Sequence, residues 1–307
     1  MSIALIAPGR DISGLVAELR AQAPGIDLEV WPDLHHPDRV EFAVCWNPPS
    51  GVLASLPSLK AATSLGAGVD GILKDPALPA ALPLGRLSSQ GLGHDMAGWL
   101  LAHITSTWFD LERFDRQQRQ GIWRTWSPQR RPRIGLMGTG TVAQPLIRTS
   151  LALGFKMHGW NRSGVVVDGL IGHSGQSGLE RMTSRVDFLI CLLPLTRETA
   201  GILDRTLFGA MARGSVLINA GRGEHLVEED LLTGLARGRP SRAILDVFGE
   251  EPLPSRHPFW RHPAVTVSPH CAAVSQDQET AGLILKSYRR VRRGRAPSGL
   301  VDRARGY

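Results

Sequence analysis

The chain has 307 residues, of which 42% are hydrophobic and 21% charged, and its formal net charge is +7. This length allows two domains, and the composition is that of a globular protein rather than a disordered or fibrous one. No apolar run is long enough to span a membrane, and the apolar start is too short for a signal peptide, so we expect a cytoplasmic protein with no membrane partner. The cysteines show neither disulfide nor metal-cage spacing, which favours free thiols in a reducing compartment: Cys45, Cys191 and Cys271.

The positive charge makes nucleic acid a partner to consider. The one dense basic cluster spans residues 289–295. It is either a phosphate-binding patch or the solvated end of a terminal helix, whose dipole favours cations. The remaining basic residues are dispersed and no DNA-binding motif is visible, so we favour the helix end and expect no nucleic-acid partner.

The first hundred residues alternate short apolar strands with helices. Predicted strands span residues 2–7, 27–31, 42–46, 61–65 and 85–89, and predicted helices span 12–21 and 53–56. Alternation at this spacing predicts an α/β fold with a parallel, doubly wound sheet. The fourth strand runs into Leu65-Gly66-Ala67-Gly68-Val69-Asp70. The N–H groups of this small-residue turn either bind an anion or belong to an ordinary glycine-rich connection.

A long helix is predicted over residues 94–119, because apolar residues recur there at helical spacing. A second alternating unit follows it. Its predicted strands span 134–137, 156–160, 186–193, 215–219, 243–247 and 265–268, and its predicted helices span 144–153, 206–211 and 228–237. The nearly unbroken apolar run of the third of these strands is typical of a strand covered on both faces.

A glycine-rich turn joins the first strand and helix of this second unit. Gly138, Gly140 and Ala143 have the spacing Gly-x-Gly-x-x-Ala, with Thr141 and Val142 between the last two. In a dinucleotide site the first glycine permits the tight turn, and the second lets the backbone approach the pyrophosphate. The third small residue lets helix and strand pack closely. Strand, turn and helix come in the required order, so we predict a dinucleotide site rather than a plain connection.

The residues after the next strand indicate which dinucleotide binds. An NAD site usually has an acidic residue there for the adenosine ribose. This chain has Asn161, Arg162 and Ser163 instead, and Asp168 lies too far along unless the chain folds back. A guanidinium can bind a 2′-phosphate through charge-assisted hydrogen bonds, whereas a carboxylate would repel it. We therefore predict NADPH or NADP as the cofactor, with NADH as the weaker alternative.

Three further polar residues follow strands of the second unit. Arg222, Glu251 and His270 come after the strands 215–219, 243–247 and 265–268. Ligands of open α/β sheets bind outside the carboxyl ends of the strands, so these side chains can meet in one pocket. Each alone would be unremarkable, since most arginines and glutamates are solvated and a lone histidine is more often structural.

Together these motifs resemble the D-isomer-specific 2-hydroxyacid dehydrogenase family, and within it the subgroup that reduces glyoxylate and hydroxypyruvate. The resemblance covers essentially the whole chain. The segments that carry it are Leu65–Asp70, the Gly138/Gly140/Ala143 turn, Asn161-Arg162-Ser163, Leu193-Pro194-Leu195-Thr196, Asn219-Ala220-Gly221-Arg222-Gly223, 246–254, Ser268-Pro269-His270 and Val301–Tyr307.

The resemblance implies a domain arrangement. A Rossmann-type, doubly wound dinucleotide-binding domain, residues 99–274, would be inserted in a flavodoxin-like, discontinuous substrate domain, residues 1–98 and 275–307. The family also implies a cleft between the domains and a homodimer. No metal site is expected.

Residue roles are implied in the same way. Arg222 would bind the substrate's carboxylate and keto oxygen, and His270 would protonate the carbonyl oxygen. Glu251 would pair with His270 and favour its protonated form. Glu250 is adjacent, but the family's carboxylate stands immediately before proline, so we choose Glu251.

Further contacts complete the implied site. The N–H groups of Ala67 and Gly68 would hold the substrate carboxylate. Trp46 would cover the substrate, although a core tryptophan is nearly as good an interpretation. Asp246 would bind the nicotinamide carboxamide, with Ala220 lining that pocket and Pro194 among the cofactor contacts.

The resulting hypothesis is NADPH-dependent reduction of small 2-keto acids, namely glyoxylate and hydroxypyruvate, to glycolate and D-glycerate. One alternative is another D-2-hydroxyacid dehydrogenase with a different substrate class. The other is a non-catalytic NADP(H)-sensing protein of the corepressor type on the same fold.

Overall fold

A computed structural model describes residues 2–164 and 167–307. The chain clusters into two compact units. The first unit is Met1–Leu92 with Pro194–Thr196 and Ser275–Tyr307, and the second unit is Gly93–Leu193 with Arg197–Val274. The predicted functional division at residues 98/99 and 274/275 stays a prediction.

Parallel strands form the centre of both units, which confirms the predicted α/β class. Their bounds are β1 Ser2–Ile6, β2 Asp27–Val30, β3 Val40–Cys45, β4 Ala61–Ser64, β5 Leu84–Arg86, β6 Arg133–Met137, β7 Lys156–Trp160, β8 Ile171–His173, β9 Phe188–Cys191, β10 Val216–Asn219, β11 Arg242–Leu245 and β12 Val265–Val267. The helices are α1 Ser13–Gln22, α2 Asp70–Leu73, α3 Gln90–Trp108, α4 Leu111–Gln120, α5 Gln144–Ala152, α6 Gly175–Thr183, α7 Arg205–Ala210, α8 Glu228–Ala236 and α9 Asp277–Arg292.

The first unit is a five-stranded sheet with the order β2-β1-β3-β4-β5. Helices α1 and α9 cover one face, where Leu15, Leu19 and Ile284 pack with Ile3. The other face has its own cluster, which includes Leu53. The acidic residues of α9 lie in its first turn and its arginines in the last, as the helix dipole favours. The basic cluster thus lies at a helix end, the position that we favoured for it.

The second unit is a seven-stranded sheet with the order β12-β11-β10-β9-β6-β7-β8. Apolar clusters cover both faces of this sheet. Strand β6 pairs with β7 on one side and with β9 on the other, so the strand order reverses at β6. Such a reversal point is where open α/β sheets bind ligands, and the glycine-rich turn follows β6 directly.

Two predicted helices are wrong. The helix expected over 94–119 is interrupted, because Asp110 adopts a left-handed conformation with φ of 49° between α3 and α4. Its carboxylate accepts a hydrogen bond from Arg113 Nε at 2.7 Å, within the first turn of α4. The residues expected as a helix at 53–56 form turns, since Pro57 disfavours helical backbone at Leu56. Strand β8 and helices α2 and α6 were not predicted from the sequence.

The described residues contain no helix that is long and apolar enough to cross a membrane. In the same residues, no group of three or more His, Cys, Asp or Glu side chains is arranged to hold a metal ion.

An ionic cluster around Asp187 fixes the start of the central strands of the second unit. Arg130 donates two hydrogen bonds to its carboxylate, at 2.6 and 2.7 Å, and the backbone N–H of Arg133 donates a third at 2.8 Å. Burial alone would raise the pKa of Asp187, but the bonds from the two arginines outweigh it and hold the pKa well below its usual range. The ionised carboxylate therefore stabilises the folded state.

We expect Asp187→Asn to lower the free energy of unfolding by about 1–3 kcal/mol near neutral pH. A carboxyl whose pKa is lowered by folding contributes stability above its unfolded pKa of about 3.9 and loses it as the pH falls further. The difference between wild type and variant should therefore shrink below about pH 4. Denaturant unfolding at several pH values measures it.

Asp115→Asn is the matched control, because Asp115 pairs with Arg119 on the exposed surface of α4. It should change stability by about 0.5 kcal/mol or less. Equal losses for the two variants, or a loss at Asp187 that does not depend on pH, would contradict the assignment.

Candidate active site

The glycine-rich turn after β6 has the geometry of a phosphate-binding loop. Gly138 has φ of 98°, and a Cβ there would lie 2.8 Å from the carbonyl oxygen of Leu192, so only glycine fits. At Gly140 no described protein atom, apart from those of the adjacent residues, lies within 4 Å of where a Cβ would be. Protein packing therefore does not demand glycine at this second position, whereas the approach of a ligand would. Ala143 is buried directly before α5, at the position where the motif has a small residue.

The segment after β7 lies beside this turn. Asn161 Nδ2 donates to Thr139 Oγ1 at 3.2 Å, and Ser163 Oγ donates to Asn161 Oδ1 at 3.2 Å. Arg162 forms an ion pair with Glu198, with 2.8 Å between Nη1 and Oε2. The structure thus brings the predicted cofactor residues 138–143 and 161–163 to one edge of the sheet, with an acidic partner on the arginine.

Arg222 lies in the loop after β10, and the side chain of His225 holds the backbone of this loop. The backbone N–H of Arg222 donates to Nδ1 of His225 at 3.0 Å, and the histidine side chain is fully buried. Asn219 Nδ2 donates to the carbonyl oxygen of Arg222 at 3.0 Å. A Cβ at Gly223 would collide with the backbone of Phe248, which explains the glycine after the arginine. The backbone of Arg222 is therefore held on both sides.

His270 is positioned by the carboxylate of Asp246, which follows β11. This carboxylate is only 2% exposed and accepts hydrogen bonds from Ser268 Oγ and from the N–H groups of Cys271 and Ala272, at 2.6, 2.9 and 3.0 Å. The backbone N–H of His270 donates to the carbonyl oxygen of Asp246 at 2.8 Å. The carboxylate of Asp246 thus holds the loop 268–272 in place. Its hydrogen bond to the nicotinamide carboxamide stays a prediction.

Glu251 and His270 form a close pair. Nδ1 of the imidazole lies 2.8 Å from Oε2 of Glu251, while Oε1 accepts a hydrogen bond from the backbone N–H of Phe248 at 2.9 Å. Both side chains are about one-third exposed, so the pair borders solvent. Glu250 is exposed and forms no such contact in the described chain.

The ionised form of Glu251 is favoured. Partial burial would raise its pKa, but the hydrogen bonds from His270 and Phe248 and the positive charge of Arg222 outweigh burial and lower it. An ionised carboxylate can only accept, so Nδ1 of His270 is the donor and carries a hydrogen. Glu251 therefore interacts electrostatically with both His270 and Arg222. That the three residues form one catalytic site stays a prediction.

The predicted substrate-side residues lie in the first unit. Trp46 follows β3, and the loop 66–68 follows the neighbouring β4. Ser64 Oγ donates to the carbonyl oxygen of Gly68 at 2.5 Å, which closes this loop. In the part of the chain that the structure describes, the N–H groups of Ala67 and Gly68 donate to no protein acceptor. These N–H groups are therefore available to an anion, which favours an anion-binding turn over an ordinary glycine-rich connection.

The remaining predicted contacts fall on both units. Ala220 is buried, and its N–H donates to the carbonyl oxygen of Cys191 at 3.2 Å. Pro194 belongs to the short segment Pro194–Thr196 that clusters with the first unit.

Three residues of the site were missed from the sequence: His225, Ser268 and Glu198. The signal for His225 was its place three residues after Arg222, which lets its side chain reach back to a backbone N–H. Ser268 directly follows β12 and was considered only as part of the motif Ser268-Pro269-His270. Glu198 gave no usable signal, because 36 residues separate it from Arg162.

Comparisons with known proteins identify the family. Residues 101–272 match the model of the family described as D-isomer specific 2-hydroxyacid dehydrogenase, NAD binding domain. Over 314 residues, covering 100% of both chains, the sequence is 35% identical to glyoxylate/hydroxypyruvate reductase A of Yersinia enterocolitica.

Solved structures agree with this match. A D-isomer specific 2-hydroxyacid dehydrogenase of Xanthobacter autotrophicus, in complex with NADPH and MES, has a TM-score of 0.92 at 31% identity and covers 100% of this chain and 99% of its own. An NADPH-dependent glyoxylate/hydroxypyruvate reductase of Sinorhizobium meliloti, in complex with NADP and sulfate, has a TM-score of 0.91 at 32% identity and covers 100% of both chains. This chain belongs to the D-isomer-specific 2-hydroxyacid dehydrogenase family.

Proposed function

We propose that this protein reduces small 2-keto acids, with glyoxylate and hydroxypyruvate as the preferred candidates, to the corresponding 2-hydroxy acids with NADPH. The observation that carries the proposal is the contact of 2.8 Å between His270 Nδ1 and the carboxylate of Glu251, beside the charge of Arg222. An acid, its carboxylate partner and a fixed cation are the groups that reduction of a keto acid needs.

The residues divide the reaction between them. Residues 138–143 and 161–163 would hold NADPH, which would supply the hydride for the keto carbon. His270 donates a proton from Nε2 to the carbonyl oxygen, so that carbonyl, hydride and proton together give the alcohol. Glu251 holds the imidazole through Nδ1 and stabilises its positive charge. Arg222 binds the substrate's carboxylate and polarises the keto oxygen through its guanidinium fork.

The cofactor residues fit NADPH. A helix N-terminus and a turn with open space at Gly140 suit a pyrophosphate. Arg162 and Ser163 offer a cation and a hydroxyl for a 2′-phosphate at the position where an NAD site has an acid. Glu198 forms an ion pair with Nη1 of Arg162, so a 2′-phosphate would compete with this carboxylate for the guanidinium.

The first unit supplies the remaining proposed contacts. The N–H groups of Ala67 and Gly68 would hold the substrate carboxylate, and Trp46 would lie against the substrate. We also propose that the protein is a homodimer in the cytoplasm. Light scattering after size exclusion tests the assembly, and fractionation of cells tests the compartment.

The direct test is NADPH oxidation by the pure, folded protein with a panel of 2-keto acids. Turnover of glyoxylate or hydroxypyruvate, with NADPH preferred over NADH, is the expected result. A folded protein that binds NADPH but reduces none of them would contradict the proposal and favour the NADP(H)-sensing alternative.

We expect Glu251→Gln to lower kcat by about 100-fold, because the amide cannot stabilise the imidazolium or hold the same hydrogen bond. Initial rates at saturating NADPH and keto acid give kcat for both proteins.

Glu250→Gln is the control, as it removes a neighbouring charge that does not reach His270. It should change kcat by about twofold or less. If both variants lose activity equally, the pairing does not explain catalysis.

We expect Arg162→Gln to raise the KM for NADPH by about 10- to 100-fold, because a charge-assisted bond to the 2′-phosphate is lost. The KM for NADH should change far less. Glu198→Gln should act in the opposite direction and lower the KM for NADPH by about two- to threefold, since an exposed ion pair is weak.

Arg148→Gln on the exposed surface of α5 is the matched control and should leave both cofactors unaffected. Equal effects of Arg162→Gln on NADPH and NADH would show that Arg162 does not recognise the 2′-phosphate.

A further inference from the structure

Arg10 in the first unit is a half-buried cation that none of the roles above uses. It lies four residues after the end of β1, past the turn at Pro8-Gly9, where its N–H donates to the carbonyl oxygen of Ala7 at 3.2 Å. Its guanidinium carbon lies 4.8 Å from the centroid of the Trp46 ring, so the charge is stacked on the indole.

Arg10, Trp46 and the loop 66–68 follow three strands that are neighbours in the sheet. Strand β3 lies between β1 and β4, and all three are parallel, so their carboxyl ends meet at one edge. Gly66 lies against the indole, because a Cβ there would be 3.0 Å from Cζ3 of Trp46. The arginine and the loop with the available N–H groups therefore contact the same side chain.

The guanidinium of Arg10 has no hydrogen-bond acceptor among the residues that the structure describes. Asp277, the first residue of α9, attracts it electrostatically, but no ion pair or hydrogen bond joins them. Burial lowers the pKa of Arg10 and Asp277 partly offsets this, yet arginine keeps its charge. A partly desolvated, stacked guanidinium with its donors unused is suited to an anionic ligand.

We propose that Arg10, stacked on Trp46, binds a second anionic group of the substrate, so that the enzyme also reduces 2-keto acids with a carboxylate or phosphate beyond the keto carbon. This inference rests on the proposed function, in which the N–H groups of Ala67 and Gly68 hold the first carboxylate. With the first carboxylate assigned to these N–H groups, Arg10 is available for an anionic group at the other end of the substrate. The chemistry is unchanged, with a hydride added to the keto carbon and a proton to its oxygen.

The test compares kcat/KM for dianionic substrates, oxaloacetate and 3-phosphohydroxypyruvate, with kcat/KM for glyoxylate. The wild type should reduce at least one dianion, and Arg10→Met should lower the ratio of dianion to glyoxylate by about tenfold or more, as expected for loss of a charge-assisted bond. Arg10→Lys should retain part of the ratio, because it keeps the charge without the planar stack. Arg20→Met, on the exposed end of α1, is the matched control and should leave the ratio unchanged.

Direct binding separates this inference from the proposed function. In the presence of NADPH, titration calorimetry should give tighter binding of tartronate, a dianion, than of glycolate, a monoanion, and Arg10→Met should remove that preference. If glyoxylate and hydroxypyruvate are not reduced, the proposed function fails whatever Arg10 does.

Three results would overturn the role of Arg10 while leaving the proposed function intact. The first is a wild type that reduces glyoxylate but neither reduces the dianions nor prefers tartronate. The second is a loss of kcat/KM in Arg10→Met that is equal for all substrates. The third is an unchanged ratio of dianion to glyoxylate in Arg10→Met. Should Arg10→Met fail to fold, the tartronate preference of the wild type and the Arg10→Lys ratio decide.

Discussion

The buried carboxylate of Asp246 determines where His270 lies. Its oxygens accept three hydrogen bonds from the residues around the histidine, and its carbonyl oxygen accepts a fourth from His270 itself. These bonds hold His270 at φ of 51°, a left-handed conformation that is costly for a residue with a side chain. From this position Nδ1 of the imidazole lies 2.8 Å from Oε2 of Glu251. The proposed acid, His270, is thus positioned by the carboxylate of Asp246, which takes no part in the proposed proton transfer.

Much of the fold and of this site could be predicted because the determining signals are local. Apolar runs punctuated by glycine and proline located the strands, and polar residues immediately after three of these strands marked Arg222, Glu251 and His270 as one set. The proline after Glu251 distinguished it from Glu250, and the contact of 2.8 Å with His270 agrees with that choice. Parallel pairing then brings the strand ends together without further information from the sequence.

What could not be predicted depends on tertiary contacts. Residues 94–119 were predicted as one helix, but the helix is interrupted at Asp110, and no residue of α4 is buried. The sequence of α4 is far more polar than that of α3, yet polarity alone does not end a helix. Glu198 reaches Arg162 from 36 residues away. The support of Arg222 by His225 requires a buried side chain to turn back on its own loop. Both contacts form only when the folded chain brings the two residues together.

The three cysteines differ in a way that is useful in the laboratory. Cys45 and Cys191 are buried, and burial raises the pKa of the Cys191 thiol to about 12, so alkylating reagents do not reach a thiolate there in the native protein. Cys271 is exposed and adjacent to His270. Slight desolvation of its sulfur and the negative charge of Asp246 raise the pKa of this thiol, so labelling would be slow at neutral pH and faster in mild alkali. A fluorophore or spin label can thus be attached at one native position, beside the proposed proton donor, without removing any other cysteine.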